Sequence, residues 1–372
     1  MIPLSVPEIS GNEWKYIKDC LDTGWVSSVG SYVDLFEEKF HEFVGSETAV
    51  VTMNGTAALT LALQTLGVGC GDEVIVPSMT FIASVNPIVY VGASPVFADI
   101  TEDTWVLDVE KVEKLITNKT KAIIPVHVYG NMVDMEPLLD TARRHGLFVI
   151  EDATEALGSE YRTDDGIWHK AGTLGHFGAF SFNGNKLITT GAGGMLVSND
   201  GPLGKKAKHL SNQAKTPLAN GGMLHEEIGY NYRMPNLLAA MGVAQLERLD
   251  EFIEKKHAIA SWYQAGLQGI PGLAAASEKE NVKAVKWLNS ILLKPESKTG
   301  RDALIEELNK KGVMSRPFFE PIHHMTPYKG YRSDKLESSE KVSRQGINLP
   351  SSVGLKEAEV KYVCECIREG LV

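Results

Sequence analysis

The segment Ser181-Phe182-Asn183-Gly184-Asn185-Lys186 follows a run of apolar residues and leads into a turn that contains Gly191, Gly193 and Gly194. We predict a strand over Phe177–Phe182, a second strand over Gly194–Ser198, and a loop between them that carries Lys186. A lysine among small and hydroxylated residues after a strand is an unusual place for a charge that only contacts solvent. Its amine can form a Schiff base with a carbonyl compound, although an ordinary surface lysine beside a turn fits the local sequence equally well.

Short apolar runs alternate with helical runs upstream of this segment. The predicted strands are Thr48–Thr52, Glu73–Pro77, Pro95–Ala98, Ala122–Val126 and Leu147–Ile150. The predicted helices include Glu8–Asp22, Thr56–Leu66, Val109–Ile116 and Met135–His145. Val/Ile-rich strands that alternate with helices are typical of a mostly parallel sheet with helices on both faces. We therefore predict an α/β fold with a seven-stranded sheet, and ligands at the carboxyl ends of its strands.

The character of the chain changes near residue 250, where a charged helical run begins at Glu247. A stretch rich in glycine and proline, Gly269–Gly272, then precedes a predicted strand over Trp287–Leu293. Predicted helices follow over Arg301–Lys311 and Lys356–Glu369. We therefore expect two domains, a large one over residues 1–250 that contains the sheet and a smaller C-terminal α/β domain over residues 251–372.

The composition is that of an average soluble globular protein, with 43% apolar and 23% charged residues among 372. It excludes a disordered or fibrous chain. The net charge of −10, from 37 Lys+Arg against 47 Asp+Glu, argues against nucleic acid as the main partner. No apolar run is long enough to span a membrane, and no signal stretch opens the chain. Together with four cysteines at no framework spacing, these features predict a cytoplasmic location.

An aspartate follows the predicted strand that ends at Ile150, in the sequence Phe148-Val149-Ile150-Glu151-Asp152. An enzyme that uses pyridoxal 5'-phosphate (PLP) needs a carboxylate against the pyridine nitrogen, which keeps the ring protonated as an electron sink. Asp152 is a candidate for that role, and Lys186 is the candidate for the Schiff base. The alternative is that Asp152 caps a helix over Ala153–Leu157.

The segment Val51–Ala58 predicts a strand that ends in a glycine turn, after which a helix begins at Thr56. The free N–H groups and the dipole of such a helix terminus suit a phosphate, although similar turns occur throughout α/β proteins. Phe81 follows the strand that ends at Pro77, and its ring suits either a cofactor face or the core. A phosphate site, an aromatic ring, a strand-end aspartate and a loop lysine, all at one edge of one sheet, indicate a fold-type-I PLP enzyme.

These segments resemble the sugar-nucleotide aminotransferases of the DegT/DnrJ/StrS type over essentially the whole chain. The likeness is carried by Asn54–Leu59, Gly71–Pro77, Glu151-Asp152-Ala153, Ser181-Phe182 with Lys186, and Gly229–Met234. The resemblance implies a transaminase that binds PLP in its large domain and takes its amino group from L-glutamate. Dehydratases of this family have histidine in place of the lysine, so Lys186 favours aminotransfer. An alternative of another class is a regulator that binds PLP or a sugar nucleotide without turnover.

By position, the resemblance assigns catalytic roles to Lys186, which would hold PLP and later move a proton, and to Asp152, at the pyridine nitrogen. Further cofactor contacts are expected from Phe81 over the ring, Glu155 near the ring hydroxyl, and Gly55, Thr56 and Ser181 at the phosphate. Asn231 resembles a residue that reaches the phosphate of the neighbouring subunit. This implies a homodimer with shared active sites, although Asn231 also suits a simple turn.

Two sets of residues indicate different sugar nucleotides. His209–Lys215, Asn183–Asn185 and Ala153–Glu155 look like enzymes that aminate C4 of UDP-2-acetamido-2,6-dideoxy-hexos-4-ulose. Ser315–Phe318 and Pro321–His323 look like GDP-perosamine synthases, which act on GDP-4-keto-6-deoxymannose. We expect the UDP sugar, because the first set lies nearer the predicted reaction centre, and keep the GDP sugar as the alternative. Either activity would serve polysaccharide biosynthesis.

The candidate substrate contacts are Asn185, Arg316 and His323. Arg316 suits the diphosphate, because its guanidinium can pair with two phosphate oxygens, and it equally suits an exposed position after a helix. The pair His323-His324 suggests a metal site, but no histidine or cysteine at ligand spacing accompanies it in the sequence. We therefore expect no metal.

Overall fold

A computed structural model describes residues 1–295, 297 and 299–371 of the chain. Its α-helices are α1 Glu13–Thr23, α2 Ser31–Val44, α3 Gly55–Thr65, α4 Asn86–Tyr90, α5 Met135–His145, α6 Gly201–Ser211, α7 Asn236–Leu246, α8 Leu249–Leu267, α9 Arg301–Lys310, α10 Glu337–Gln345 and α11 Glu357–Gly370. Its strands are β1 Thr48–Thr52, β2 Glu73–Pro77, β3 Ser94–Ala98, β4 Thr120–Ile123, β5 Phe148–Asp152, β6 Glu160–Arg162, β7 Trp168–Lys170, β8 Phe177–Ser181, β9 Gly194–Ser198, β10 Lys215–Pro217, β11 Met223–His225, β12 Leu273–Ala274, β13 Val282–Lys283, β14 Asn289–Leu293, β15 Arg316–Pro317 and β16 Gly346–Leu349.

The centre of the molecule is a seven-stranded sheet in the order β1-β9-β8-β5-β4-β2-β3. The pairs β8–β5, β5–β4, β4–β2 and β2–β3 are parallel, whereas β9 is antiparallel to both of its neighbours. Since β1 and β8 both oppose β9, they run in the same direction. The prediction of a mostly parallel seven-stranded α/β sheet is confirmed, and six of its strands end at the same edge.

Both faces of this sheet are buried. Successive side chains of a strand point to opposite faces, and accordingly Val149 packs into one apolar cluster while Ile150 packs into the other. Val51 and Val50 divide in the same way. Each such side chain stabilises the fold by roughly 1.5–3 kcal/mol when fully buried. Burial on two faces explains why these strands read as continuous apolar runs rather than as alternating ones.

A second sheet lies in the C-terminal part of the chain. Its four strands follow the order β12-β14-β16-β15, and all pairs are antiparallel. Strands β14 and β16 share an apolar cluster with α9, α11 and the second half of α8, and Leu273 of β12 packs against it. The first half of α8 packs elsewhere, since Leu249 and Phe252 belong to a cluster on the central sheet. The domain boundary expected near residue 250 stays a prediction.

Local differences from the predicted elements have local causes. The first helix begins at Glu13 rather than Glu8, because Gly11-Asn12 interrupts the helical run. The predicted helix over Val109–Ile116 is a pair of short 3₁₀ turns. Residues 153–157 form turns and no helix, so the alternative role of Asp152 as a helix cap does not hold. In the part of the chain that the structure describes, no helix has the length and apolar character needed to cross a membrane.

A buried carboxylate fixes the end of the central strand β5. Glu151 is fully buried and accepts hydrogen bonds from the N–H groups of Gly172, Leu174 and Gly175, at 2.9, 2.7 and 2.6 Å. Its Oε2 also lies 2.9 Å from Nε2 of His127. The His127 Nδ1 atom accepts the N–H of Val133, so Nε2 carries the proton and donates it to Glu151.

We predict that Glu151→Gln lowers the free energy of unfolding by about 2–4 kcal/mol, because an amide NH₂ would face donors that then lose their acceptor. Urea unfolding followed by circular dichroism measures this loss. Glu38→Gln, which makes the same change on the exposed face of α2, is the control and should shift stability by less than about 0.5 kcal/mol. Equal stability of the two variants would contradict the role given to Glu151.

Candidate functional site

A cleft of about 850 Å³ opens at the carboxyl edge of the central sheet. The segments that follow β1, β2, β5 and β8 all contribute to its wall, as expected for parallel strands. The predicted residues that line it are Gly55, Thr56, Phe81, Asp152, Glu155, Ser181, Asn185, Lys186 and Arg316. Four stretches that follow strands of the central sheet, and a fifth that carries Arg316, therefore meet at the place where the strand pattern predicted a ligand.

Asp152 presents a buried carboxylate to the cleft, with 3% of its surface exposed. Its Oδ2 accepts a 2.6 Å hydrogen bond from the Ser84 hydroxyl, and its Oδ1 accepts the N–H of Thr154 at 3.1 Å. The Thr80 hydroxyl lies 2.8 Å from that of Ser84. These contacts hold both carboxylate oxygens in one orientation. Ser84 was not predicted, because nothing in the local sequence relates it to a residue 68 positions away.

Lys186 extends its amine into the same cleft. Its Nζ lies 3.6 Å from Oε1 of Glu155 and 3.9 Å from the centre of the Trp287 ring. The loop that carries it is held by the carbonyl of Asn185, which accepts hydrogen bonds from Trp287 Nε1 at 2.6 Å and from the Ser5 hydroxyl at 2.8 Å. The lysine is thus positioned by Ser5, near the N-terminus, and by Trp287, from the C-terminal part of the chain, which excludes the surface-lysine interpretation.

Glu155 is a buried carboxyl beside this amine. Burial raises its pKa, and the positive charge of Lys186 opposes that shift. Its Oε2 accepts the N–H of Tyr129 at 2.9 Å. Tyr129 has a positive φ of 55°, an uncommon conformation for a non-glycine residue, which aims this N–H at the carboxylate. The group expected near a ring hydroxyl therefore also contacts the amine.

The beginning of α3 forms a site for an anion. Asn54 caps the helix by accepting the N–H of Ala57 at 2.8 Å. Among the described residues, the N–H groups of Gly55 and Thr56 have no acceptor, and both residues line the cleft with Ser181. A Cβ on Gly55 would lie 2.9 Å from Thr154 Cγ2 and 3.1 Å from Ser181 Cβ. Only glycine therefore lets the helix end approach Ser181 this closely.

An exposed aromatic ring also lines the cleft. Phe81 keeps 54% of its surface exposed, and its ring centre is 5.8 Å from that of Phe319. An aromatic side chain of this exposure in a cleft is available to a planar ligand. Its position excludes the alternative of a core residue.

Two predicted site residues lie outside the cleft. Asn231 is exposed and pairs through a β-bridge with Asn212. His323 contacts the Ser78 hydroxyl through Nδ1 at 2.7 Å and does not belong to the cleft wall. The predicted roles of Asn231 across a subunit boundary and of His323 at the sugar nucleotide stay predictions.

The comparison with known proteins identifies a family. The sequence profile described as DegT/DnrJ/EryC1/StrS aminotransferase family matches residues 7–368. A GDP-perosamine synthase of Caulobacter vibrioides is 44% identical over 375 residues, covering 100% of this chain and 98% of the relative. A GDP-perosamine synthase of Vibrio cholerae is 45% identical, covering 99% of this chain and 98% of the relative.

Solved structures agree in fold. The PLP form of a sugar aminotransferase described as putative, Spr1654 of Streptococcus pneumoniae, has a TM-score of 0.92 at 29% identity, covering 100% of this chain and 99% of that one. PseC of Helicobacter pylori, an aminotransferase in pseudoaminic acid biosynthesis, has a TM-score of 0.93 at 27% identity, covering 100% and 99%. The protein is accordingly an enzyme whose cofactor is PLP, and the alternative of a regulator without turnover is not supported.

The residues of the cleft fit this cofactor. PLP needs an amine for its aldehyde, a carboxylate for its pyridine nitrogen, a ring contact and an anion site for its phosphate. Lys186, Asp152, Phe81 and the free N–H groups at the start of α3 supply one of each.

We predict that Asp152→Asn retains the fold and binds PLP but lowers the transamination rate by orders of magnitude, because the amide cannot hold a proton on the pyridine nitrogen. Absorption spectra and initial rates measure the two effects separately. Asp164→Asn changes an exposed loop carboxylate and serves as the control. A near-normal rate in the Asp152 variant would exclude this role.

Proposed function

The chain belongs to the DegT/DnrJ/EryC1/StrS aminotransferase family, and on this premise we propose that it transfers an amino group from L-glutamate to C4 of GDP-4-keto-6-deoxymannose. The observation that carries the reaction is the entry of the Lys186 amine and the Asp152 carboxylate into one cleft. An amine and a carboxylate in one cleft are the two protein groups that PLP chemistry requires.

The choice of the GDP sugar over the UDP sugar rests on two observations. The relatives from Caulobacter and Vibrio, at 44% and 45% identity, are both GDP-perosamine synthases. Within this chain, His209 and Lys215 line a separate surface depression, whereas Arg316 and Pro317 line the main cleft. The expectation of the UDP sugar took three stretches to lie near the reaction centre. His209 and Lys215 do not line the main cleft of this chain, whereas Asn183, Asn185, Thr154 and Glu155 do.

When bound, PLP supplies an electron sink for the transfer. Lys186 would hold its aldehyde carbon, and Asp152 would hold the proton of its pyridine nitrogen. Phe81 would cover the ring, while Ser181 and the N–H groups at the start of α3 would bind the phosphate. As a free amine, Lys186 would move the proton between the cofactor carbon and C4 of the sugar.

Glu155 and Trp287 would keep the freed amine near the reacting carbon. The carboxylate attracts the ammonium form of Lys186 at 3.6 Å, and the Trp287 ring lies 3.9 Å from Nζ. Because both groups are buried, they also exclude water from the amine.

Arg316 is the candidate for the diphosphate. Its guanidinium is exposed at the rim of the cleft, on the short strand β15, and has no carboxylate partner among the described residues. By contrast, the exposed Arg144 is paired with the carboxylates of Glu113 and Asp140. An unpaired guanidinium at a ligand cleft is suited to bidentate phosphate binding.

A homodimer is also part of the proposal. Asn231 lies outside the cleft of its own chain, as a residue that serves a neighbouring subunit would. Large apolar side chains near it are exposed: Trp25 at 57%, Val29 at 60% and Ile228 at 83%. The segment that carries Trp25 and Val29 contacts Asn236 and Arg233, just after Asn231. Exposed apolar side chains that cluster in this way suit a protein interface.

We predict that Lys186→Ala folds normally but loses the visible absorption of the PLP–lysine Schiff base and all measurable turnover, because no other lysine of the described residues lies in the cleft wall. Lys310→Ala, an exposed lysine of α9, is the control and should retain both. Turnover in the Lys186 variant would remove this residue from the mechanism.

We predict that Arg316→Met raises KM for the GDP-linked keto sugar at least about tenfold, because a bidentate charge-assisted contact is worth 1.4 kcal/mol or more. Bleaching of the visible absorption by L-glutamate alone should be unchanged, since Arg316 acts only on the nucleotide. Arg143→Met, on the exposed face of α5, is the matched control.

Wild-type enzyme assayed with the UDP- and GDP-linked 4-keto sugars should prefer the GDP sugar, and preference for the UDP sugar would overturn the substrate assignment.

A further inference from the structure

Two adjacent histidines and a glutamate converge outside the cleft. His323 and His324 lie in a short 3₁₀ turn, and Glu340 comes from α10. Glu340 Oε1 is 3.6 Å from Nε2 of His323 and 3.8 Å from Nε2 of His324. One ligand atom from each of the three side chains lies within 4.8 Å of the other two, and no other such group of three occurs in residues 1–295, 297 and 299–371.

The remaining nitrogens of both rings have partners of their own. Nδ1 of His323 lies 2.7 Å from the Ser78 hydroxyl, and Nδ1 of His324 lies 2.5 Å from Oε1 of Glu320. The Glu320 carboxylate accepts the proton of Nδ1 of His324 and so leaves the free electron pair on Nε2. The Ser78 hydroxyl does the same for His323 when it accepts from Nδ1. Both Nε2 atoms are thereby directed toward the same glutamate oxygen. The other oxygen of Glu340 accepts a hydrogen bond from Arg344 at 3.1 Å, which orients that carboxylate as well.

We propose that His323, His324 and Glu340 bind a Zn²⁺ ion. Zinc takes His nitrogen at 2.0–2.1 Å and carboxylate oxygen at 2.0–2.2 Å, so neighbouring ligands of a tetrahedral site are about 3.3–3.5 Å apart. The two measured separations of 3.6 and 3.8 Å exceed this by only a few tenths of an ångström. Two imidazoles and one carboxylate leave a fourth position for water.

The chemical nature of these three side chains determines which metal ions they can bind. Imidazole is a ligand for Zn²⁺, Cu²⁺ and Ni²⁺, whereas Mg²⁺ and Ca²⁺ require oxygen ligands. Simple ion pairs would explain one contact between Glu340 and one histidine. They do not account for two imidazoles on the same oxygen, each with its other nitrogen already held by a separate partner.

A metal at this position would join three parts of the chain. Ser78 follows β2 and precedes the Thr80–Phe81 wall of the cleft, and its carbonyl accepts the N–H of Ile322. Glu340 lies on α10, beside the C-terminal sheet. The site is therefore structural: it would fasten the turn that follows Phe319 to α10, without contact with the reacting groups in the cleft.

The test uses untagged holoenzyme that has been dialysed against a chelator and then equilibrated with micromolar ZnCl₂. We expect wild type to bind about one Zn²⁺ per chain, as a single mononuclear site requires. His324→Ala and Glu340→Gln should lower the affinity at least about tenfold, since each removes one of three ligands. Zinc should also raise the melting temperature of wild type and of neither variant, because a ligand that binds only the folded state stabilises it.

Glu337→Gln is the matched control, since it makes the same change one turn earlier on α10 at an exposed position. It should bind zinc and shift in melting temperature as wild type does. Failure of wild type to retain zinc at micromolar concentration would overturn the proposal, as would zinc affinity in both ligand variants equal to that of wild type. Competition with millimolar MgCl₂ should not displace the zinc, and displacement would exclude histidine ligation.

Discussion

The arrangement of the cleft depends on the buried carboxylate of Glu151. Four N–H donors, three from the main chain at Gly172, Leu174 and Gly175 and one from His127, converge on it. An ionised group in a dry interior is tolerated only with such complete hydrogen bonding. Because successive strand residues point to opposite faces, fixing Glu151 in the interior also fixes Asp152 toward the cleft. The loop that holds Glu151 leads directly into β8, so the same contacts set the register of the strand that carries Ser181.

Two further sets of residues, one from the central sheet and one from the C-terminal part of the chain, complete the site. On the central sheet, the parallel strands bring Gly55, Phe81, Asp152 and Ser181 to one edge, where they line the part of the cleft that we call its floor. From the C-terminal part of the chain, Trp287 closes over the Lys186 amine and binds the carbonyl of Asn185. The main chain of Trp287 is in turn held by the buried ammonium of Lys256, which donates to its carbonyl at 2.6 Å. The lysine is therefore oriented by contacts that only the complete fold provides.

Local sequence patterns predicted the parts of the molecule that depend on local physics. Strands buried on both faces give continuous apolar runs, and all seven strands of the central sheet were predicted to within three residues at their ends. Lys186, Asp152 and Gly55 were predicted because each follows a strand in a recognisable pattern. Ser84 and Trp287 were missed, since their partners lie 68 and 102 residues away and no periodicity relates them. The helix expected over Val109–Ile116 was wrong, because its apolar spacing suits a pair of 3₁₀ turns equally well.

Where they line the cleft, the two sets of residues that indicated different sugar nucleotides lie in different parts of it, its floor and its rim, and this explains why they indicated different substrates. Asn183–Asn185 and Thr154–Glu155 lie on the floor, beside Lys186, where a ligand presents its reacting carbon. The reacting carbon is the 4-keto position in both candidate sugars, so floor residues carry little information about the nucleotide. Arg316 and Pro317 lie at the rim, on a strand of the C-terminal sheet, where the diphosphate and base would extend. Residues at the rim therefore discriminate between the two nucleotides better than residues on the floor do, although the floor residues lie nearer to the reacting carbon.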